Sequence, residues 1–216
     1  MTTNFSKENS IINQFIAELR DVNIQNDRMR FRRNMERIGE IMAYEISKTL
    51  TYKSAEIETP LGSIDMNVIE TQPVIGTILR AGLPQHQGIL NYFDKADNAF
   101  VSAYRKHHKD STFEIKVEYI SCANIEGRPL IICDPMLATG ASMLDSIKAL
   151  AKYGKPSELH IATIIASADG VEKVARHFPD AHIWVGAIDE ELNAKSYIVP
   201  GLGDAGDLAY GSKVQD

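Results

Sequence analysis

Residues 130–142 read LIICDPMLATGAS, an apolar run that ends at Asp134 and continues into small and hydroxyl-bearing residues. The run Pro129–Cys133 predicts a buried strand, and the apolar spacing from Met143 onward predicts a helix. A loop of this kind at a helix N-terminus presents free backbone N–H groups and the positive end of the helix dipole, which suits a phosphate. Beside that phosphate, Asp134 could accept hydrogen bonds from ribose hydroxyls. The segment therefore favours a sugar-phosphate site, although an ordinary strand–loop–helix connection uses the same residue types. It is not a Walker loop, because the lysine of that motif is missing.

Further apolar runs of strand length lie on both sides of this segment, at Pro73–Leu79, Ala99–Ala103, Leu159–Ala166 and His182–Ile188. Helical patterns follow most of them, including one that opens at Pro84. Buried strands that alternate with helices predict an α/β fold with a largely parallel central sheet flanked by helices. Ligands of such sheets collect beyond the carboxyl ends of the strands, so the residues directly after each run are the candidates for function.

The rest of the chain extends this picture. The first fifty residues have helical spacing, and Ser54–Ile69 alternates around a Pro60–Gly62 turn, which predicts a hairpin. Residues 105–121 alternate without a helical pattern and predict a projecting β-arm. No linker or repeat interrupts the sequence, so we expect a single domain over residues 1–216. Five arginines near the start of the second helix predict an exposed or subunit-facing surface, with anion binding as the alternative: Arg28, Arg30, Arg32, Arg33 and Arg37.

Two other arginines directly follow predicted strands, Arg80 in ILRAG and Arg105 in AYRK. A single arginine after a strand is usually a surface residue. Two on the edge that carries a phosphate loop form a plausible clamp for more phosphate, because guanidinium pairs with it bidentately. Gly76 and Gly82 lie on either side of Arg80 and suggest a close approach of backbone to ligand.

The C-terminal stretch YIVPGLGDAGDLAYG, Tyr197–Gly211, is rich in glycine but retains apolar residues. Its match to G-x-G-x-x-G is a false positive, because too little chain follows for a dinucleotide-binding unit. We predict an irregular loop folded over a site, with a disordered tail as the alternative. Cys133 reads as a buried strand residue rather than a nucleophile.

Composition excludes several classes of protein. The chain is 44% hydrophobic and 24% charged with a net charge of −6, which is ordinary for a globular protein and argues against a general nucleic-acid coat. No apolar run approaches the roughly 18 residues of a membrane span, and the N-terminus has no signal-peptide pattern. Two cysteines are too few for a disulfide framework. We therefore expect a protein of the reducing cytoplasm.

The motifs ILRAGL, YR, DPMLATGAS and YIVPGLGDAGD occur in this order over nearly the whole chain. In order and spacing they resemble those of the uracil phosphoribosyltransferases, which belong to the type I phosphoribosyltransferases. The resemblance implies that fold, with a projecting β-arm and a C-terminal base-binding loop. It implies the pyrimidine-salvage reaction of uracil with 5-phosphoribosyl 1-diphosphate to give UMP and diphosphate, with Mg²⁺, in a homodimer or higher homo-oligomer.

The resemblance also implies roles for residues. Arg80, Arg105 and Asp134 would be catalytic, with the arginines on the diphosphate and Asp134 on the ribose hydroxyls. Asp204 would face both the donor and uracil, and no residue is assigned as a direct metal ligand. The 5′-phosphate would lie in a loop formed by Pro135, Met136, Leu137, Ala138, Thr139, Gly140, Ala141 and Ser142. The uracil edge would be read by Ile198, Gly203, Asp204 and Ala205.

Three other functions stay open at this point. A regulatory RNA-binding protein on the same fold would need a basic face, for which the N-terminal arginines are the candidates. A phosphoribosyltransferase for another base, such as a purine, would share the donor motifs. A nucleotide-sensing module would bind without turnover. RNA binding would show a steep dependence on salt, and a panel of bases would separate the other two.

Overall fold

A computed structural model describes residues 1–107 and 113–213, with the side chains of residues 103–118 outside that description. Helices and strands alternate along most of the chain. The helices are α1 (Ile11–Arg20), α2 (Arg28–Ser47), α3 (Leu83–Leu90), α4 (Ala141–Leu150), α5 (Ala168–His177) and α6 (Ala205–Tyr210). The strands are β1 (Thr2–Asn4), β2 (Tyr52–Thr59), β3 (Gly62–Ile69), β4 (Val74–Leu79), β5 (Asp97–His107), β6 (Phe113–Cys122), β7 (Pro129–Cys133), β8 (Met136–Leu137), β9 (Glu158–Ser167), β10 (His182–Asp189), β11 (Glu191–Leu192) and β12 (Ile198–Val199).

The central sheet is largely parallel, as the apolar runs predicted. Its strands lie in the order β1-β10-β9-β7-β4-β5-β6, with β8 added to β9, and among the described strands of this sheet only β6 runs antiparallel to its neighbour. From β4 the chain first adds β5 on one side and then β7, β9 and β10 on the other. The strand order therefore reverses between β4 and β7, and a crevice at the carboxyl ends of these two strands is expected at such a point.

Helices cover both faces of the sheet because successive strand side chains point in opposite directions. On β4, Ile75 packs into a core with Phe31 and Met35 of α2. Its neighbour Val74 packs on the opposite face, in the core that contains Met143 of α4 and Val174 of α5. The two cores place the sheet between the N-terminal helices and the helices that follow β7 and β9.

Three peripheral elements bear on the sequence predictions. The hairpin is confirmed, since β2 and β3 pair antiparallel from Tyr52↔Ile69 to Thr59↔Gly62. The base of the β-arm is confirmed as the pair of β5 and β6, whereas its tip, residues 108–112, lies outside the described residues. The prediction of helix throughout the first fifty residues is wrong at the start, because β1 joins the edge of the sheet beside β10. The described ranges contain no helix with the length and apolarity that crossing a membrane requires.

Candidate active site

The predicted donor residues follow strands that lie side by side. Asp134 comes directly after β7 and Arg80 directly after β4, and these strands pair in parallel with Thr77 opposite Cys133. Both residues therefore lie at the point where the strand order reverses. Arg105 lies on β5 beyond the segment that pairs with β4, which ends at Ser102. Its backbone is on the same edge, but its side chain lies outside the described residues, so its role stays a prediction.

The loop after Asp134 is held by the neighbouring strand. The carbonyl oxygen of Pro135 accepts hydrogen bonds from the N–H groups of Ile164 (3.2 Å) and Ile165 (2.9 Å). The Ser167 hydroxyl donates to the carbonyl oxygen of Ala138 at 2.6 Å. Met136 and Leu137 form β8 against β9. Contacts within the protein therefore hold the first half of the predicted phosphate loop in place.

The second half of the loop opens helix α4. Gly140 is the N-cap at φ +74°, a left-handed conformation that favours glycine, and it offers no side-chain acceptor to the first turn. Thr139 Oγ1 lies 3.4 Å from the N–H of Ala141. The helix start, with Ser142 in its first turn, thus directs backbone N–H groups toward the edge of the sheet, as an anion site requires.

Burial shifts the acidity of two neighbouring groups in this segment. It raises the pKa of Asp134 to about 7, and a hydrogen bond from the backbone N–H of Met136 opposes that shift only in part. Burial also raises the pKa of the Cys133 thiol to about 12. The prediction that Cys133 is a buried strand residue is confirmed, and a thiol of this kind is a poor nucleophile.

Arg80 connects the donor side of the site to the C-terminal segment. Its guanidinium Nη2 donates to Asp207 Oδ1 and to the Gly211 carbonyl oxygen, both at 3.4 Å, while the side chain stays 44% exposed. Gly82 packs closely against other parts of the protein, and its predicted approach to ligand stays a prediction. A Cβ there would meet the Thr77 hydroxyl and the Cys133 carbonyl oxygen. Gly76 lies in mid-strand with ordinary room for a Cβ, and its approach to ligand stays a prediction.

The C-terminal segment is docked and more regular than the sequence suggested. Ile198 is buried in β12, which pairs with β11. Gly203 has φ +98° in an exposed turn. Asp204 then caps α6, since its Oδ1 accepts from the N–H of Asp207 at 3.0 Å, and Ala205 is buried in the first turn. The prediction of an irregular loop is wrong over this helix; the aspartate cap was the available signal.

Sequence reasoning missed an ion pair that anchors the same segment. Arg20, at the end of α1, pairs with Asp189, at the end of β10, through hydrogen bonds of 2.7 and 2.8 Å. Both side chains also bond the backbone of Gly201. The two charged residues are 169 positions apart in sequence, so no local pattern joins them.

The N-terminal arginines are partly exposed, but contacts within the chain engage most of them. Arg30 pairs with buried Glu18 and, through its hydrogen bond, lowers the pKa of that carboxyl to about 2, with help from Asn34. Arg32 donates to the Ala209 carbonyl oxygen at 2.7 Å and therefore supports the C-terminal helix. Arg33 pairs with acidic residues of α2 itself.

A cleft of about 470 Å³ lies beside this arrangement, with Arg32, Leu83, His86, Phe100 and Tyr210 among its lining residues. It borders α3 and the end of α6, and neither Asp134 nor the phosphate loop lines it. The cleft is therefore separate from the predicted phosphate loop.

The topology and the loops at the reversal of strand order define the fold of the type I phosphoribosyltransferases. Orotate phosphoribosyltransferase of Mycobacterium tuberculosis, in complex with inorganic phosphate, shares the fold with a TM-score of 0.51 at 13% identity, over 84% of this chain and 91% of that one. The AQ2163 protein from Aquifex aeolicus is similar over 100% of both chains, with a TM-score of 0.88 and 28% identity.

Within that class, the chain belongs to the uracil phosphoribosyltransferase family. The model of that family matches residues 6–212. The uracil phosphoribosyltransferase of Porphyromonas gingivalis is 55% identical over 96% of both chains. That of Thermococcus gammatolerans is 37% identical over 97% of this chain and 93% of its own.

Proposed function

We propose that the protein is a pentosyltransferase of pyrimidine salvage: it transfers the 5-phosphoribosyl group of 5-phosphoribosyl 1-diphosphate to uracil, forming UMP as the bond to the departing diphosphate breaks. One observation carries this proposal. The C-terminal segment with the GLGDAGD motif contacts the residues after β4 through Arg80, on the edge where β7 leads into the phosphate loop. This arrangement supports the proposal that the C-terminal segment binds the base beside a loop that binds the phosphoribosyl group.

The donor is held by the residues around Asp134. The carboxylate accepts hydrogen bonds from the ribose hydroxyls. The backbone of Pro135–Ser142, together with the start of α4, binds the 5′-phosphate. Breaking the bond at the anomeric carbon builds positive charge on the sugar and negative charge on the departing diphosphate. Arg80 and Arg105 stabilise that leaving charge, and the fixed loop keeps the sugar in line with the base.

The residues present fit a Mg²⁺ ion that the donor carries. Among the described residues, no three His, Cys, Asp or Glu side chains form a group able to hold a metal ion. Mg²⁺ is commonly bound through substrate phosphates with one or two carboxylates, and Asp204 offers a partly exposed carboxylate whose Oδ2 accepts from Lys213 Nζ at 3.4 Å. The ion would neutralise charge on the diphosphate.

Uracil is read mainly by backbone groups. Ile198, Gly203, Asp204 and Ala205 lie in a segment whose small residues let a flat base approach the main chain. Peptide N–H and C=O groups match the two carbonyl acceptors and the N–H donor of uracil. A peptide donor cannot become an acceptor, so the same groups do not match the amino group of cytosine. A mismatched base leaves buried polar groups unpaired, at a cost of about 1–3 kcal/mol each.

The same proposal includes one domain over residues 1–216 and a homodimer or higher homo-oligomer. Support for self-association comes from the β2–β3 hairpin, which exposes Leu61 fully and Ile64 and Met66 by more than half. Apolar side chains clustered on a projecting element are typical of a surface that another chain covers. Light scattering of the purified protein measures the assembly directly.

The experiment that tests this function is a panel of uracil, cytosine, hypoxanthine and guanine, each with the ribosyl donor and Mg²⁺, analysed for nucleotide by chromatography. We expect UMP as the only major product and its loss on chelation of Mg²⁺ with EDTA. Nucleotide from a purine in preference to uracil would contradict the proposal, as would the absence of any nucleotide from the folded protein.

A further inference from the structure

Three residues close a ring of hydrogen bonds at the start of the C-terminal segment. Arg20 Nη2 donates to Asp189 Oδ1 at 2.7 Å, and Arg20 Nη1 donates to Asp189 Oδ2 at 2.8 Å. The same Nη1 also donates to the Gly201 carbonyl oxygen at 2.8 Å. The Gly201 N–H in turn donates to Asp189 Oδ2 at 2.9 Å. The ion pair therefore holds both polar groups of one glycine's backbone.

This ring is better shielded from water than an ordinary surface ion pair. The Asp189 side chain is 8% exposed and that of Arg20 23%. A buried carboxylate is costly unless its partners stay in place, so the geometry of one partner constrains the others. The planar guanidinium fixes two bonds to Asp189 and one to Gly201 in a single orientation, which the ammonium of lysine cannot reproduce.

Gly201 occupies the middle of the proposed uracil-reading residues. It follows Ile198 by three positions and precedes Gly203 by two. With φ +57°, it turns the chain so tightly that a Cβ would collide with the carbonyl oxygen of Ile198. Fixing both backbone polar groups of Gly201 therefore sets the direction of the chain on either side. The orientation of the peptide groups that would face uracil depends on this anchor.

We infer that Arg20 and Asp189 are positioning residues for uracil recognition: they hold the C-terminal segment rigid enough for its backbone to distinguish uracil from other bases. This inference rests on the proposed function. It concerns only the base side of the proposed site, because in the described structure the hydrogen bonds of the two side chains join them to each other and to Gly201. Removing the pair would consequently weaken the use of uracil while leaving donor binding intact.

A second ion pair in the chain provides a matched control. Arg30 donates two hydrogen bonds of 2.8 Å, from Nε and Nη2, to Glu18, whose side chain is 9% exposed and also accepts from Asn34 and Gln14. This pair joins α1 to α2 and makes no contact with Gly201. We expect its removal to perturb the packing of the N-terminal helices without releasing the C-terminal segment.

The experiment compares the double variant Arg20→Met/Asp189→Leu with Arg30→Met/Glu18→Leu in the full-length protein. Replacing both charges of a buried pair with apolar residues avoids an unpaired charge, so both variants should remain folded by circular dichroism. For Arg20→Met/Asp189→Leu, we expect kcat/KM for uracil to fall on the order of 10²-fold, chiefly because KM rises. Small misplacements of binding groups have effects of this size. Its donor affinity, measured by calorimetry, and the kinetics of the control should stay near the wild-type values.

A milder variant guards against loss of folding. Arg20→Lys keeps the charge but lacks the fork that reaches both Asp189 and Gly201, so it should show the same selective rise in uracil KM to a smaller degree. An unchanged uracil KM in folded Arg20→Lys, or in the folded double variant Arg20→Met/Asp189→Leu, would overturn the inference. A loss of donor affinity as large as the rise in uracil KM would also overturn it, as would failure of even Arg20→Lys to fold. Either result would mean that the pair is purely structural. If wild-type protein forms no UMP, the proposed function fails instead.

Discussion

Asp134, the residue proposed to bind the ribose hydroxyls, is a carboxyl whose ionised form is disfavoured by burial. Burial raises its pKa to about 7, so at higher pH the folded chain holds an ionised carboxylate that burial disfavours. In the unfolded chain the same group ionises near its ordinary pKa of 3.8. The contribution of this carboxyl to folding stability is therefore fully present below about pH 4 and is lost as the pH rises through 7. Ribose hydroxyls would supply the missing partners.

Asp134→Asn separates these two effects. Without donor, we expect the variant to gain thermal stability relative to wild type as the pH rises from 4 to 8. At pH 8 its affinity for the donor should fall by about 10- to 100-fold, because hydrogen bonds to a charged acceptor are replaced by weaker ones. Thermal unfolding and calorimetry measure the two quantities. Asp145→Asn, on helix α4, is the control and should change neither. Unaltered donor affinity would remove Asp134 from the ribose site.

At the scale of elements, helices α2 and α3 are joined at two glycines. A Cβ on Gly39 would collide with the Gln85 carbonyl oxygen, and one on Gly88 with that of Glu36. The helix backbones therefore touch directly. Because α3 begins three residues after Arg80, this contact fixes the base of the loop that carries the arginine.

Gly88→Ala should lower the free energy of unfolding by about 1–3 kcal/mol, even though alanine favours a helix over glycine by roughly 1 kcal/mol. Chemical denaturation measures the loss. Gly76→Ala is the matched control, because its Cβ would lie 3.5 Å from Ile132 Cγ1, an ordinary contact. Equal stability of the two variants would mean that α2 and α3 separate without cost and that their close packing is unimportant.

The start of β10 contains a second pH-dependent group. The His182 ring stacks on Trp184 at 3.8 Å, and its Nε2 lies 2.8 Å from Thr3 Oγ1 of β1. Burial lowers the pKa of His182 to about 4, and the nearby His160 and N-terminal amine contribute to the same shift. The neutral ring therefore helps to hold β1 against the sheet.

Between the ordinary histidine pKa of 6.5 and the folded value of about 4, the unfolded chain binds more protons at His182 than the folded chain does. Stability should consequently decrease as the pH falls through this range. We expect His182→Gln to flatten the decrease, measured by thermal unfolding at several pH values. The exposed His177→Gln is the control. A pH profile identical to wild type in the His182 variant would show that the ring does not carry this effect.

At the scale of the whole molecule, the sequence predicted what depends on local patterns. The buried strands, the loop after Asp134 and the hairpin follow from periodicity and turn residues. The ring of Arg20, Asp189 and Gly201 could not be predicted, because it joins chain segments that meet only after the sheet has formed. The strand β1 was missed for a similar reason, since Thr2–Asn4 carries no strand pattern and pairs only because β10 offers an open edge.

In the proposed function, donor and uracil bind to separate loops of one site. Gly203→Val is the most direct test of this arrangement. The φ of +98° at this position disfavours a β-branched residue, although the space around Gly203 would accommodate its Cβ, so the substitution acts on the backbone conformation. The measurement is donor affinity by calorimetry beside the rate of UMP formation in the same preparation. We predict that UMP formation is lost while the donor binds as in wild type. Normal UMP formation by this variant would contradict the account.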